Sequence, residues 1–370
     1  MRPLSYLVAA DKFKGTLSAE TVCARIRDAI LTLQPEAQVN CSPIADGGDG
    51  TATVIARRVG ADRLSIPSLD ALHRPITAEC YLKGETGYLD MSSASGLARL
   101  TADEQTPLQA STAGTGLLIR ELFARGCRKL FLGLGGSATV DAGFGMAAPL
   151  GYEFLDGKGN PITPVPANFS ELHSVRPPPQ PNWPIVIGLS DVETTLLGTP
   201  DAISIFGPQK GLATGEISWL REAYANLLSR LGGEGWVRIA HEPRSGAAGG
   251  LGFGVRAFLS GGLISGFSAV AEQLELAEQV AKVDIVITGE GCLDGQSLAG
   301  KAPFCVAQLA HAAGKPVWAI AGITRDEELV APHFDRIITV ASSPAAQEES
   351  MREPEHTLFR TVVRSLRSGP

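Results

Sequence analysis

Several common signatures are missing from this chain of 370 residues, and each absence removes a class of function. The six cysteines (Cys23, Cys41, Cys80, Cys127, Cys292 and Cys305) form no Cys-x-x-Cys pair. That excludes a disulfide framework and a thiolate zinc site, and it fits a reducing compartment. The six histidines make no His-x-x-x-His or His-Glu-x-x-His pattern, so zinc chemistry is not expected. No Gly-x-Ser-x-Gly is present, which removes the α/β-hydrolase elbow. Basic charge is not in excess: the formal net charge is −7, and nucleic acid as a main partner would need a basic face. No stretch approaches the ~20 apolar residues needed to span a bilayer. The short apolar run Leu4 to Ala10 breaks at once into Asp11-Lys12-Phe13-Lys14, so no signal peptide is expected. A cytoplasmic protein with neither a membrane nor a nucleic-acid partner is the expectation.

What the chain has in plenty is glycine, 42 residues of it. Twelve of these lie in four loops, all but the third of which also bear charge or hydroxyls: Asp46-Gly47-Gly48-Asp49-Gly50-Thr51, Gly135-Gly136-Ser137-Ala138-Thr139-Val140-Asp141, Gly246 to Gly252, and Thr288-Gly289-Glu290-Gly291-Cys292-Leu293-Asp294-Gly295-Gln296-Ser297. Glycine lets backbone N–H groups approach a ligand closely, and clustered amides suit an anion. Carboxylates in the same loops would repel a bare anion. A phosphate carried by magnesium resolves the conflict, because the metal takes oxygen ligands from both sides. Phosphoryl transfer is therefore the first expectation.

The length favours two domains. Leu4–Ala10 and Val39–Ile44 read as strands, separated by a helix that is capped near Ser18 and carries Val22, Ile26, Ile30 and Leu33 on one stripe. Thr53–Val59 starts another helix. The alternation returns at the far end, with strands at Val283–Thr288, Val317–Ala321 and Ile337–Val340 and helices at Lys301–Ala313 and Glu355–Leu366. Such alternation predicts an α/β fold with a parallel sheet covered on both faces. Neither end holds enough strands for a sheet, so residues 1–65 and 275–370 are expected to form one domain and residues 66–274 an inserted α/β domain. Within the insertion, Leu117–Phe123 and Leu251–Leu259 read as helices, and Leu130–Leu134 and Ile185–Leu189 as strands. Gly157–Pro184 holds eight prolines and is expected to be an irregular surface connection.

Asp191, Glu290 and Asp294 stand where strands should end, the place where open parallel sheets bind ligands. Gly135-Gly136-Ser137 follows a strand and should open a helix, a geometry that suits an anion. Gly295 to Ala302 nearly matches a P-loop, but Ala302 replaces the hydroxyl that would meet magnesium, so a standard P-loop is rejected. Lys14, Lys210 and Lys301 lie in or beside glycine-flanked loops and are the candidate cations.

An ordered set of segments resembles the glycerate kinase family, whose bacterial members phosphorylate D-glycerate with ATP. The segments are Ala10-Asp11-Lys12-Phe13-Lys14-Gly15-Thr16-Leu17-Ser18, Ala45-Asp46-Gly47-Gly48-Asp49-Gly50-Thr51, Gly133-Leu134-Gly135-Gly136-Ser137-Ala138-Thr139, Phe206-Gly207-Pro208-Gln209-Lys210-Gly211, Gly246 to Gly252, and Thr288-Gly289-Glu290-Gly291 with the run to Pro303. The resemblance implies two α/β domains, one of them flavodoxin- or Rossmann-like and built from both chain ends. It also implies ATP-dependent phosphorylation of glycerate on the 2-hydroxyl, with magnesium. On that basis Glu290 and Asp294 are expected to hold the metal and Asp191 to accept the hydroxyl proton, with Asp46 as its competitor. Gly47, Gly48, Gly135, Gly136, Ser137 and Lys301 are expected on phosphate, and Lys14 and Lys210 on the substrate carboxylate or the transferring group. The partners are then a small hydroxy acid and a nucleotide; no oligomeric state is read from the chain. Four positions depart from the family pattern. Cys292 stands where the family has arginine, Thr194-Thr195 where it has Asn-Pro, and Cys305 where it has glycine. These departures leave open a diverged, non-catalytic ligand-binding paralogue or a kinase for another small hydroxy acid.

Overall fold

A computed structural model describes residues 2–179, 182–199 and 201–367. Its strands, in chain order, are β1 (Ser5–Ala10), β2 (Gln38–Cys41), β3 (Asp62–Leu69), β4 (Pro75–Lys83), β5 (Thr86–Asp90), β6 (Lys129–Gly133), β7 (Glu153–Leu155), β8 (Ser174–Arg176), β9 (Ile185–Leu189), β10 (Gly262–Ile264), β11 (Ile285–Leu293), β12 (Val317–Thr324) and β13 (Arg336–Thr339). The chain divides into two compact units, Met1–Asp46 with Phe267–Pro370, and Gly47–Gly266.

The first unit is built on a five-stranded sheet in the order β13-β12-β11-β1-β2, with every neighbouring pair parallel. Counted along the unit, that order is 2-1-3-4-5, the flavodoxin-like arrangement, with its switch point between β1 and β11. The helix Ala19–Leu33 starts where the Ser18 hydroxyl accepts the Thr21 amide, and it buries Val22, Cys23, Ile26, Ala29 and Ile30. These sit at helical spacing and pack with Tyr6, Val8, Ile287, Ile320, Leu358 and Val362 in one core. The terminal helix Pro354–Arg367 lies against Ala19–Leu33, and Ala302–Ala312 packs on β11, β12 and β1.

The second unit carries a six-stranded mixed sheet in the order β10-β9-β6-β5-β4-β3. The four strands from β10 to β5 are mutually parallel, while β4 and β3 run antiparallel. Register aligns the carboxyl ends: Asp90 lies opposite Gly133, Gly133 opposite Leu189, and Leu189 opposite Ile264. The loops that leave these four strands therefore start from one edge. Behind them, Phe144 is wedged among Phe154, Phe169, Trp236 and Phe258 with ring centroids 5.2 to 5.9 Å apart.

Four expectations need correction. The units part at residues 46/47 and 266/267, where the sequence placed the junctions at 65/66 and 274/275. The helix Thr51–Val59 packs on β5, β4 and β6, because an amphipathic stripe says that a sheet covers it but not which one. Glu290 lies inside a strand rather than after it: β11 runs on to Leu293 because its partner β12 extends to Thr324. The proline-rich segment is not wholly irregular. Ser174–Arg176 pairs antiparallel with Glu153–Leu155, Pro161 forms an isolated bridge with Leu155, and Phe169 and Leu172 reach the core. Residues 180 and 181 of that segment lie outside the described residues.

Candidate active site

In the first unit, the chain leaving β1 and the end of β11 bring charged groups together. The Asp11 amide donates to the Gly289 carbonyl (2.8 Å), which holds the start of the Asp11–Gly15 turn against β11. The Asp11 carboxylate accepts the Lys12 amide at 2.6 Å. Burial, and then the nearby Asp46 carboxylate, raise the Asp11 carboxyl above its ordinary range against the lowering effect of that amide. Glu290 is 9% exposed and accepts the Ser297 hydroxyl at 2.6 Å. Burial raises the Glu290 carboxyl too, although Ser297 and Lys301 both pull it down. The Lys301 ammonium lies 3.5 Å from Glu290 and 3.6 Å from Asp294. Asp294 also accepts the Ser297 amide at 3.2 Å and faces the Cys292 thiol at 3.6 Å. Burial, followed by Asp294, pushes that thiol up, so it stands as a neutral donor. Lys14 is exposed in the Phe13–Leu17 turn, whose backbone packs against Gly291 closely enough that a Cβ there would meet the Lys14 amide nitrogen at 3.2 Å.

Of the expected residues of this unit, Asp46, Glu290, Asp294 and Lys301 thus share one electrostatic neighbourhood. Lys301 differs from expectation in one respect: its ammonium bridges the two carboxylates instead of standing alone. Among the described residues, no group of three or more His, Cys, Asp or Glu side chains forms a preformed metal cage. The donor set nonetheless suits magnesium, which takes hard oxygens, keeps several waters and usually uses one or two carboxylates beside phosphate. A cationic ammonium within 3.6 Å of both Glu290 and Asp294 marks the pair as a place that attracts positive charge.

The second unit sets glycine-loop amides beside carboxylates of its own: a Cβ on Gly136 would stand 3.1 Å from Asp49 Cβ. The backbones of its glycine loops lie against one another without room for a side chain. A Cβ on Gly47 would stand 2.9 Å from Gly266 Cα and 3.0 Å from Ser190 Cα, and one on Gly135 would stand 2.4 Å from Gly48 Cα. Gly47 also has φ +94°, which glycine alone adopts readily. The result is a run of three amides, Gly135, Gly136 and Ser137, that find no hydrogen-bond partner among the described residues. The neighbouring bonds, Leu97 N–H to the Gly136 carbonyl (2.8 Å) and Ala138 N–H to the Ser95 carbonyl (3.0 Å), pin the run from both sides. Consecutive unpartnered amides of this kind suit an anion. It is not a helix N-terminus, as the sequence led one to expect: the chain runs on as a loop to Gly143, and the helix that follows, Phe144–Ala147, is a single turn.

Asp191 follows β9, and its Oδ1 accepts the Ser265 hydroxyl (2.7 Å) and the Gly266 amide (2.9 Å). Lys210, expected on the substrate carboxylate or the transferring group, lies in the interior of this unit. It is 4% exposed, and its ammonium donates to Ser137 Oγ (2.7 Å) and the Thr139 carbonyl (2.8 Å). Burial pushes it down to about 7, with the charge of Asp141 resisting. Asp141 is fully buried and is held by the Thr112 amide and hydroxyl and by the Gly143 and Gly145 amides. The loop Gly246 to Gly252 has a structural use. Ala248, Gly249 and Gly250 all adopt positive φ, and a Cβ on Gly249 would come within 1.9 Å of the Thr139 carbonyl oxygen.

Sequence reasoning assigned no role to Asp11, Ser92, Asp90 or Ser265. Asp11 was visible in the first motif. Ser92 donates to Asp49, and Asp90 accepts the Ala52 amide at 3.0 Å at the start of the helix Thr51–Val59. Both follow from the β3–β5 meander, for which no turn signal was read.

Comparison with known proteins returns one consistent answer. The model of the glycerate kinase family matches residues 6–368. A glycerate 2-kinase of Escherichia coli is 34% identical over 94% of this chain and 93% of its own length. A glycerate kinase of Halalkalibacterium halodurans is 33% identical over 97% of this chain and 96% of its own. Among solved structures, a crystal structure described as glycerate kinase 2 from Salmonella typhimurium LT2 superposes with a TM-score of 0.81 at 30% identity, covering 99% of both chains.

Proposed function

Because the chain belongs to the glycerate kinase family, we propose that it transfers the terminal phosphoryl group of ATP to the 2-hydroxyl of D-glycerate, giving 2-phosphoglycerate and ADP. The observation that supports this best is the near-full-length likeness to proteins named glycerate kinase or glycerate 2-kinase. A non-catalytic paralogue is not favoured by those names, and a membrane attachment has no support from the helices, none of which is long and apolar enough to cross a bilayer among the described residues. A cytoplasmic setting accords with six free cysteines.

The geometry suggests how the work is divided. Phosphoryl transfer needs positioning and charge neutralisation more than covalent chemistry. The Gly135, Gly136 and Ser137 amides are placed to receive an anionic oxygen of a reactant, with Gly47 and Gly48 supporting them through close backbone packing. Glu290 and Asp294 would hold magnesium, which when bound neutralises phosphate oxygens. Lys301, already between those carboxylates, supplies a second cation to the same oxygens. Lys14 is exposed and can meet a carboxylate or phosphate. Asp191, oriented by Ser265 and Gly266, would accept the hydroxyl proton as the acceptor oxygen attacks, with Asp46 as the competing base. ADP release followed over a panel of small hydroxy acids, with ³¹P NMR of the product, tests the whole assignment. A 2-phosphoglycerate signal from D-glycerate is the expected outcome; absence of turnover, or the 3-phospho isomer, would overturn it.

A further inference from the structure

Lys210 is buried where a lysine is costly. Almost no lysine is fully buried without a partner of opposite charge, because desolvating the ammonium costs several kcal/mol. Here, among the described residues, no carboxylate lies within ion-pair distance of it, and its two bonds go to neutral oxygens, Ser137 Oγ and the Thr139 carbonyl. Packing alone would be served as well by methionine. The surrounding chain is nevertheless shaped to admit the ammonium. A Cβ on Gly249 would stand 3.0 Å from Lys210 Nζ, and the left-handed run Ala248 to Gly250 folds around that point.

The hydroxyl chemistry shows what the arrangement does. An ammonium has three donors and no acceptor, whereas a serine hydroxyl has one proton and two lone pairs. In its ammonium form Lys210 donates to Ser137 Oγ, and the Ser137 proton then points away from it. It is thereby available beside the three unpartnered amides of residues 135–137. The Thr139 bond holds the far end of the same loop. The positive charge sits behind the cradle, in a low-dielectric interior where it acts more strongly on an anion than it would in water.

We propose that Lys210 is a positioning residue: from the interior of its unit it orients the Ser137 hydroxyl and fixes the 135–139 loop, so that the cradle is set for an anionic oxygen before a reactant arrives. This rests on the assignment of that cradle to a reactant oxygen, either a phosphate oxygen of ATP or the carboxylate of glycerate. It also gives the Gly246 to Gly252 loop a task, that of seating the lysine, rather than touching a ligand.

The test is a double-mutant cycle of Lys210→Met and Ser137→Ala, measured in the full chain. KM and kcat are taken separately for ATP and D-glycerate, calorimetric binding of each is measured alone, and melting is recorded. Lys210→Met should lower kcat/KM by about 10²-fold, the scale of losing one preorganised donor to an anion. Its melting temperature should hold or rise, since removing a buried charge is often neutral or stabilising. The KM that rises identifies the source of the oxygen, ATP or glycerate. The double variant should be no worse than Lys210→Met alone, because the lysine acts through the serine. Rate constants within twofold of wild type, losses that multiply across the cycle, or activity that falls only in step with melting would each overturn the proposal. If Lys210→Met does not fold, Ser137→Ala decides: wild-type constants there leave the lysine nothing to act through, whereas a loss restored by Ser137→Thr supports it. Wild-type protein without glycerate turnover sinks the proposed activity instead, and the calorimetric arm still scores Lys210, which stands if binding of either ligand weakens in Lys210→Met and falls if neither does.

Discussion

The two units place their chemistry at the same address and give it opposite signs. In each, the candidate groups leave the carboxyl ends of parallel strands, where a parallel sheet has its ligand edge. The first unit gathers Asp11, Asp46, Glu290 and Asp294 there, with Asp11 and Glu290 made harder to ionise by burial and by neighbouring carboxylates, Asp46 among them in both cases. The second unit sets bare amides over a buried ammonium. On the proposed reading one unit holds a cation and the other receives an anion, although Asp49 and Asp191 put carboxylates in the second unit as well. A shared architecture therefore decides where chemistry can occur, while the residues in the loops decide its sign.

The sharpest way to break that division is Asp191, a carboxylate in the unit of amides. If it is the base, Asp191→Asn should lower kcat by about 10²–10⁴-fold with melting unchanged. Near-normal turnover would move the proton to Asp46 and make the first unit the sole seat of acid–base chemistry. Next in size is Gly135→Ala. Its Cβ would fall 2.4 Å from Gly48 Cα, and backbone cannot swing aside. A destabilisation of about 1–3 kcal/mol in urea unfolding is expected, with a loss of kcat/KM beyond what unfolding explains. A variant as stable and active as wild type would mean that the close glycine packing does not build the cradle.

A smaller effect is expected in the acidic unit. Cys292 places a neutral thiol beside Asp294, where a guanidinium could pair with carboxylate and phosphate alike. Cys292→Arg should therefore lower KM for ATP or raise kcat several-fold, and unchanged constants would discard the idea of a gap in the phosphate clamp. The last effect is a slope in stability and not a change in rate. Lys210 is pushed to about 7 in the fold from its ordinary 10.5, so between those values the unfolded chain binds a proton that the folded chain has released. Stability from this group must then rise with pH across that window, by at most about 1.4 kcal/mol per pH unit. The groups that bear on it are Asp141 and, close to that carboxylate, Tyr224. Lys210→Met should remove the slope in a comparison of unfolding curves at pH 7 and pH 10; an identical slope in both proteins would mean that the ammonium is not buried as described.

Much of the first unit was legible in the chain. The stripe Val22, Ile26 and Ile30 with its Ser18 cap, the strand before Asp11 and the helix after Lys301 stand where periodicity places them, because each is set by local spacing and a single end signal. The resemblance named the glycine loops that leave the strands. Illegible were the features that depend on a partner far along the chain. The extension of β11 past Glu290 depends on β12. The allegiance of the helix Thr51–Val59 depends on β5, whose own strand partner on one side is β6, some forty residues on. Lys210 was expected on the substrate or the transferring group, and a glycine-flanked lysine carries no mark of burial; only the fold brings Gly249 and Ser137 to it.

By itself the sequence determined the kinds of groups available: amides freed by glycine, carboxylates after strands, a few lysines, and no thiolate or imidazole cluster. It also determined the alternation that makes parallel sheets. The tertiary structure decided which of those groups meet and what state they are in. Burial, and the approach of one backbone to another, are set by residues far apart in the chain, and these turn Lys210 from a solvated charge into a support behind the cradle and hold Glu290 and Asp294 about one ammonium.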